Sequence, residues 1–498
     1  MTQTLDVDVA IIGAGSAGMA AYEQVAQQTE RVVVIDAGPW GTTCARAGCM
    51  PSKLLIAAAQ AAHAVTHARC FGIEAGEPKV DGAAVMARVR SERDRYVASV
   101  LKTVESWPRS HRVTGRARFI DDHTLAIDTA AVGAPTRIRA ARIVIATGAS
   151  PVRPPDWCQA IGKRLVTHEE VFDWATLPAS VAVVGAGPLG LELAQALHRL
   201  QVRVRLYDAK NQVGTLSSPA LQAQCRDIFG QALPLTLGAG DLQVDLHAEG
   251  DRDRDRGSDG DSNGDAVRVR CPGSNAPEEH FELLLAAVGR RANVQALGLS
   301  NTSLPLDAHG VPVFNRHSLQ VGSMPIFIAG DAADDWPVLH EAADEGRIAG
   351  TSAAGFPRVQ KQPRRTRMQV VFSVPQLATA GQGFEALTQA GVDFEVGRVS
   401  YADQGRAQVM AVNQGALEVY GETGSGRLLG AEMVGPGAEH IAHLLAWSVA
   451  RGDTVQQMLS YPYYHPTLEE GLRTALRDLR QALQPGPQSD TLDCGLGG

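Results

Sequence analysis

No apolar run in this chain of 498 residues reaches the roughly 18 to 20 residues that a membrane-spanning helix requires, so a helical membrane protein is excluded. The chain opens MTQTLDVDVAIIGAG, without a basic stretch followed by a cleavable apolar segment, and a cytoplasmic location is expected. Basic residues are not in excess: the net charge is -8 and the isoelectric point about 6.0. Neither nucleic acid nor a membrane surface is therefore expected as a partner. Cysteine is sparse, with seven residues scattered along the chain, which excludes a disulfide-stapled secreted framework. Only Cys44 and Cys49 are close together, and no second cysteine pair or histidine cluster completes a tetrahedral metal site around them. No metal is expected, and redox chemistry becomes the leading reading of the pair.

What is present is organised by two glycine-rich turns. The apolar run Val7 to Ile12 reads as a buried parallel strand that breaks into Gly13, Gly15 and Gly18. A helix-forming stretch follows from Met19 to Gln28, then a strand from Arg31 to Ile35 ending at Asp36. The series recurs as strand Val181 to Val184, turn Gly185, Gly187 and Gly190, helix Leu191 to Arg199, and strand Val202 to Tyr207 ending at Asp208. In both copies the acid stands 18 positions after the third glycine, 18 to 36 and 190 to 208. One glycine motif alone is a weak signal; two, each between strand and helix, predict an α/β chain with two Rossmann-like dinucleotide-binding units. The glycines permit a tight turn, approach of backbone to a pyrophosphate, and close packing of helix on strand, while the helix N-terminus supplies partial positive charge. Asp36 and Asp208 would each accept hydrogen bonds from an adenosine ribose. At Asp208 the acid repels a 2'-phosphate, which favours NADH over NADPH, although Arg203 and Lys210 flank that strand within reach of such a phosphate.

The thiol pair sits in GTTCARAGCMPSK, Gly41 to Lys53, ahead of an alanine-rich helical stretch running to about Val65. Pro51 suits a first helical turn, which places Cys49 at a helix N-terminus, where a thiolate is stabilised. Near the C-terminus, YPYYHPTLEEG from Tyr461 to Gly471 sets Glu470 five residues after His465. A carboxylate partner fixes the tautomer of an imidazole and supports its protonated form, which suits acid and base work on a thiol.

Elsewhere, Thr114 to Asp128 reads as short strands, Ala141 to Ala146 as a further strand, and Pro151 to Pro155 as a linker. Asp251 to Asp265, DRDRDRGSDGDSNGD, has no apolar residue to bury and is expected to be a solvated, mobile insertion rather than a calcium loop. Strands are expected at Leu283 to Val288 and Pro325 to Ala329. After about Gly346 separated strands (Met368 to Phe372, Ala416 to Tyr420) give way to helices (Glu439 to Ala450, Leu468 to Leu483), an α+β pattern.

At these motifs the chain resembles the class I pyridine nucleotide-disulfide oxidoreductases, most closely the dihydrolipoamide dehydrogenases, over nearly its whole length. The family pattern GGxCxxxGCxPSK is matched except that Thr42 replaces the second glycine. The resemblance implies that Cys44 exchanges with substrate, that Cys49 lies against a flavin, and that His465 and Glu470 act across a homodimer interface on the partner's disulfide. It also assigns Asp331 of FIAGDAA to the flavin ribityl chain and places Lys53 and Glu192 near the flavin ring. Thr147 and Gly148 match the ATG strand end of the FAD domain. Gly289 lies in LLLAAVGRRAN, which has Ala292 where proline is usual; LHEAADEG, Leu339 to Gly346, also follows the family pattern beside the flavin.

The implied organisation is an FAD-binding domain (1–150), an NAD(P)-binding domain (151–274), a central segment completing the FAD site (275–345), a dimerisation domain (346–484) and a disordered tail (485–498). The implied activity is oxidation of dihydrolipoamide by NAD+, with FAD and NAD as cofactors and the lipoyl groups of a 2-oxoacid dehydrogenase complex as partners. A reductase of another small, glutathione-like disulfide, a diaphorase using no thiol, and a non-catalytic FAD-bound complex subunit are the alternatives. The single Cys494 in the tail, where mercuric reductases carry a cysteine pair, disfavours mercury chemistry.

Overall fold

The computed structural model describes residues 4–129, 135–248, 265–272 and 276–483. Its first sheet is built on the strand Thr4–Ile12, which runs parallel to Val32–Asp36 on one side and to Arg137–Ile145 on the other. Val9, Ala10 and Ile11 are fully buried, as a central strand covered on both faces requires. The end of Arg137–Ile145, Ile143 to Ile145, also pairs in parallel with Ile326–Ile328, while its start pairs antiparallel with Thr124–Asp128. Residues far apart in sequence thus complete one layer.

The first glycine helix, Ser16–Val25, lies against the helix Leu339–Gly355. A Cβ at Gly346 would stand 2.1 Å from Ala17 O and one at Gly350 2.5 Å from Ala21 O, so only glycine permits this approach. Residues 346–355 therefore pack with the first glycine unit, and the expected boundary at 346 moves to the chain beyond them.

The second sheet is wholly parallel, in the order Leu235–Thr236, Arg203–Tyr207, Ser180–Val184, Leu283–Ala286, Leu165–Val166. Leu283–Ala286, expected in the central segment, is a neighbour of Ser180–Val184, because its fully apolar run needs both faces covered. The second unit therefore continues beyond 274. A three-stranded antiparallel sheet, Gln243–Ala248, Asp265–Arg270 and Glu279–Phe281, adjoins it. The expected linker is also ordered: Ala149–Pro151 pairs with Arg290–Ala292, and Pro155–Ile161 is helical.

The remaining unit is an antiparallel sheet in the order Met368–Val371, Gln376–Gly381, Leu428–Gly435, Ala416–Glu422, Phe394–Ser400. Helices Ala438–Arg451 and Glu470–Leu483 pack on it through Ile441, Leu445, Leu472, Leu476 and Leu479. The acidic insertion lies outside the described residues up to Asp265, which begins a strand, and so does the 485–498 tail with Cys494. Among the described residues no helix is long and apolar enough to cross a membrane.

Candidate active site

Cys44 lies in a short helix, Thr43–Ala47, and Cys49 is the first residue of the long helix Cys49–His67. Thr42, the departure from the expected glycine, caps the short helix by accepting from Ala45 N–H at 3.2 Å. Arg46 steadies the same loop through Trp40 O at 2.6 Å. Between the helices, a Cβ at Gly48 would press on Cys44 Cα at 3.1 Å, so glycine is what lets the two cysteines close on one another. They are half-buried free thiols, and each acts on the acidity of the other.

The interaction between the two side chains is the largest influence on the acidity of both. The interaction with Cys44, followed by the Lys53 ammonium, brings the Cys49 thiol down to about 7 against the opposing pull of burial. The same interaction, seen from the other side, and burial raise the Cys44 thiol. A helix start adds to the preference for a thiolate at Cys49. Lys53, one turn further along the helix, reaches Glu192 at 2.8 Å and lies 4.6 Å from the centre of the Phe372 ring. The other Glu192 oxygen accepts from Phe372 N–H at 2.8 Å, which leaves this buried carboxylate paired at both ends.

Both glycine turns have the same construction. Gly13 and Gly185 take positive φ, +106° and +108°, and a Cβ on either would strike a backbone oxygen, Ala146 O or Ala287 O, at 2.3 Å. A Cβ on Gly18 or Gly190 would lie 1.9 or 1.8 Å from the first glycine's own oxygen. The second glycines differ: Gly15 and Gly187 have nothing within 4 Å of that position. Each is the cap of its helix with no side-chain capping bond, so free backbone donors border open space. The protein itself requires the first and third glycines; the second suits something external and anionic that approaches the backbone closely. An orphaned polar atom points the same way, since the buried Thr147 hydroxyl has no partner. Gly148 and Gly289 are also open where a Cβ would stand. These features fit a bound dinucleotide in each turn.

The two acids first serve the turns. Asp36 accepts from Ala14 N–H and Gly38 N–H, both at 2.7 Å, and Asp208 from Ala186 N–H and Lys210 N–H, both at 2.7 Å. The spacing of 22 residues between acid and turn is identical, and the remaining lone pairs can receive ribose hydroxyls. Of the basic residues flanking Asp208, Arg203 is engaged, bonded to His280 O and stacked 4.7 Å over Phe281. Arg205 is likewise paired with Glu279. Lys210 makes no ion pair among the described residues.

Asp331 follows the strand Ile326–Ile328 and pairs with Arg290 at 3.0 Å. Glu345 accepts from Gly330 N–H at 2.8 Å and Arg364 at 2.7 Å, and so holds the turn that presents Asp331. Burial raises the Glu345 carboxyl. Neither Arg290 nor Glu345 was singled out from sequence, although each lies in a motif that was quoted. Ala292, in place of the usual proline, is buried in the first core, and Asn293 ties this strand to Thr147 O and Gly148 O.

His465 and Glu470 meet as expected, Nδ1 lying 3.0 and 3.1 Å from the two carboxylate oxygens, with Thr467 N–H holding one of them at 3.1 Å. The imidazole is 74% exposed. It belongs to the antiparallel unit, and no hydrogen bond or ion pair among the described residues joins it to Cys44 or Cys49. Within one chain the thiol pair and the acid-base pair are not brought together. Among the described residues no group of three His, Cys, Asp or Glu side chains could hold a metal ion.

Comparisons with known proteins agree with this division. Residues 7–346 match the model described as pyridine nucleotide-disulphide oxidoreductase, and residues 368–476 match the dimerisation domain of the same description. A dihydrolipoyl dehydrogenase from Chlamydia muridarum is 26% identical over 470 residues, covering 93% of this chain and 94% of that protein. The mercuric reductase of Shigella flexneri is 28% identical over 477 residues, 94% of this chain and 80% of its own length. Among solved structures, LpdA from Mycobacterium tuberculosis superposes with a TM-score of 0.77 at 24% identity, covering 95% and 99% of the two chains. The Cu(II) complex of the HOCl-induced flavoprotein disulfide reductase RclA from Escherichia coli gives 0.77 at 21% identity, covering 95% and 98%.

Proposed function

The chain belongs to the pyridine nucleotide-disulphide oxidoreductase family, whose members use FAD and NAD(P), and from that premise we propose that it is a homodimeric dihydrolipoyl dehydrogenase of the cytoplasm. The observation that carries this is the placement of Cys44 and Cys49 on two helices that close on one another at Gly48, one turn from Lys53 paired with Glu192. In the oxidised protein the two sulfurs form one disulfide. His465 of a second copy, oriented by Glu470, takes the proton from a substrate thiol. The resulting thiolate attacks Cys44, the Cys44 to Cys49 bond breaks, and Cys49 leaves as a thiolate favoured by Lys53. The second substrate thiol then displaces Cys44, which closes the substrate disulfide and leaves the protein reduced by two electrons. FAD, when bound, supplies the relay that passes this electron pair to a nicotinamide. Gly13, Gly15, Gly18, Asp36, Thr147, Gly148, Asp331 and Gly289 would hold it, and Gly185, Gly187, Gly190 and Asp208 would hold the nicotinamide nucleotide.

NAD is preferred over NADP in this reading because Asp208 repels a 2'-phosphate and Arg203 and Arg205 are already engaged. Exposed Leu444, Trp447 and Tyr464 on the antiparallel unit are consistent with burial against a second copy. A panel of lipoamide, glutathione disulfide and mercuric ion, each with NADH and NADPH, tests the assignment. Turnover with lipoamide and NADH is expected. Preference for glutathione disulfide with NADPH, or for mercuric ion, would overturn it.

A further inference from the structure

The loop between the strand Arg203–Tyr207 and the helix Pro219–Ala232 touches both the second glycine turn and the antiparallel unit. Ala186 lies between Gly185 and Gly187 and is held on two sides. Its N–H donates to Asp208 and its C=O accepts from Gly214 N–H, each at 2.7 Å. A peptide is planar, so a fixed Ala186 C=O fixes the direction of the Gly187 N–H on the opposite edge. Gly187 is the residue beside open space at the helix start. In the first turn the equivalent carbonyl of Ala14 receives no such backbone donor among the described residues.

Gly214 is itself wedged against the antiparallel unit: its φ is +68° and a Cβ there would lie 2.5 Å from Leu377 Cδ2. Gln222 braces the loop through Val213 N–H at 3.1 Å, Val213 O at 3.0 Å and Leu216 O at 2.7 Å. The loop ends at the carboxylate of Glu432, on the strand Leu428–Gly435. Glu432 Oε1 accepts from Ser217 N–H at 2.6 Å and the Ser217 hydroxyl at 2.9 Å. Oε2 accepts from Ser218 N–H at 3.1 Å, the Tyr420 hydroxyl at 2.7 Å and Phe384 N–H at 3.3 Å. Glu432 is 1% exposed, and these five donors are all neutral. A buried carboxylate that makes no ion pair among the described residues depends on every one of its hydrogen bonds, so it holds its donors in place.

We propose that Glu432 is a positioning residue for the pyridine nucleotide. Through the 213–218 loop it sets the Ala186–Gly187 peptide, and so makes pyrophosphate affinity in the second turn, but not in the first, depend on the antiparallel unit. This deepens the reading above and rests on the second turn being the NAD(P) site. The test is the dissociation constant for NADH of the FAD-loaded dimer carrying Glu432→Gln, together with steady-state kinetics. The constant and the KM for NADH are expected to rise about tenfold, the scale of one charge-assisted hydrogen bond, with kcat and FAD content unchanged; the melting temperature falls, because the new amide NH2 faces backbone N–H donors. Ser217→Ala, which removes one hydroxyl donor, is expected to shift both constants in the same direction by a smaller factor, and Glu432→Asp to restore part of the loss. Arg427→Gln, beside the same strand and paired with Glu422, is expected to leave NADH binding as it was.

An unchanged NADH constant in Glu432→Gln, or in Ser217→Ala should the first variant not fold, overturns the proposal. Parallel loss of FAD and NADH binding also overturns it, since the role would then be general stability. A parent protein that binds FAD but no NADH would instead sink the assignment of the second turn, a different failure.

Discussion

Lys53 stands between two ionisable partners, and its charge acts on both. It lowers the Cys49 thiol and pairs with Glu192, whose carboxylate acts in the opposite sense on that thiol. The thiolate persists above its pKa, so thiol reactivity of the reduced protein should rise with pH through about 7. Lys53→Met removes the ammonium and should move that titration upward; Glu192→Gln should move it downward. The ultraviolet thiolate absorbance of the reduced protein reads both shifts, and an unmoved titration in Lys53→Met would remove the ammonium from the explanation. At this scale much was legible in sequence. Pro51 placed Cys49 at a helix start, and the family pattern placed Lys53 beside Glu192. Arg290 and Glu345 were not legible, because their partners Asp331 and Gly330 are reached only by folding a distant strand or helix back onto the turn.

The glycine turn is the element on which the cofactor assignment depends, and its three glycines have separable duties. Gly18→Ala would force a methyl to within 1.9 Å of Gly13 O, and the required shift should cost about 1 to 3 kcal/mol, lowering the melting temperature even without FAD. Gly15→Ala meets nothing in the protein and should leave the melting temperature of the FAD-free chain alone while weakening FAD binding. Gly190→Ala and Gly187→Ala should divide in the same way for NADH. Thermal melts with and without each dinucleotide distinguish the two duties. Equal destabilisation by both substitutions in a turn would mean that the second glycine serves packing. The strand, glycine turn and helix could be read from periodicity because each is local. The pairing of Leu283–Ala286 into the second sheet and the ordering of Ala149–Pro151 could not, because a short apolar run carries no mark of its neighbour.

At the scale of the whole molecule, His465 and Glu470 lie in the region that matches a dimerisation domain, residues 368–476, and the two thiols lie in the other matched region, residues 7–346. His465 is exposed and oriented by Glu470, and no hydrogen bond among the described residues joins it to Cys44 or Cys49. His465→Ala should slow thiol turnover by about 100- to 10,000-fold while leaving reduction of the protein by NADH intact. If each site combines the thiols of one copy with the imidazole of the other, a heterodimer of a Cys44→Ser chain with a His465→Ala chain rebuilds one of its two sites. It should then recover about half of normal turnover from two inactive parents, as a two-fold interface allows. Failure of such mixed dimers to recover would place the acid and base elsewhere. By itself the sequence determined the local patterns, glycine turns between strand and helix, a thiol pair at a helix start and a histidine beside a carboxylate, because each is set by residues close together in the chain. Only the tertiary structure decided that Asp36 and Asp208 hold their own turns, that Arg290 pairs with Asp331 while Glu345 holds Gly330, and that Glu432 holds one end of the loop whose Gly214 meets Ala186. Those contacts join segments tens to hundreds of residues apart, and their energy exists only once water has been driven from between them.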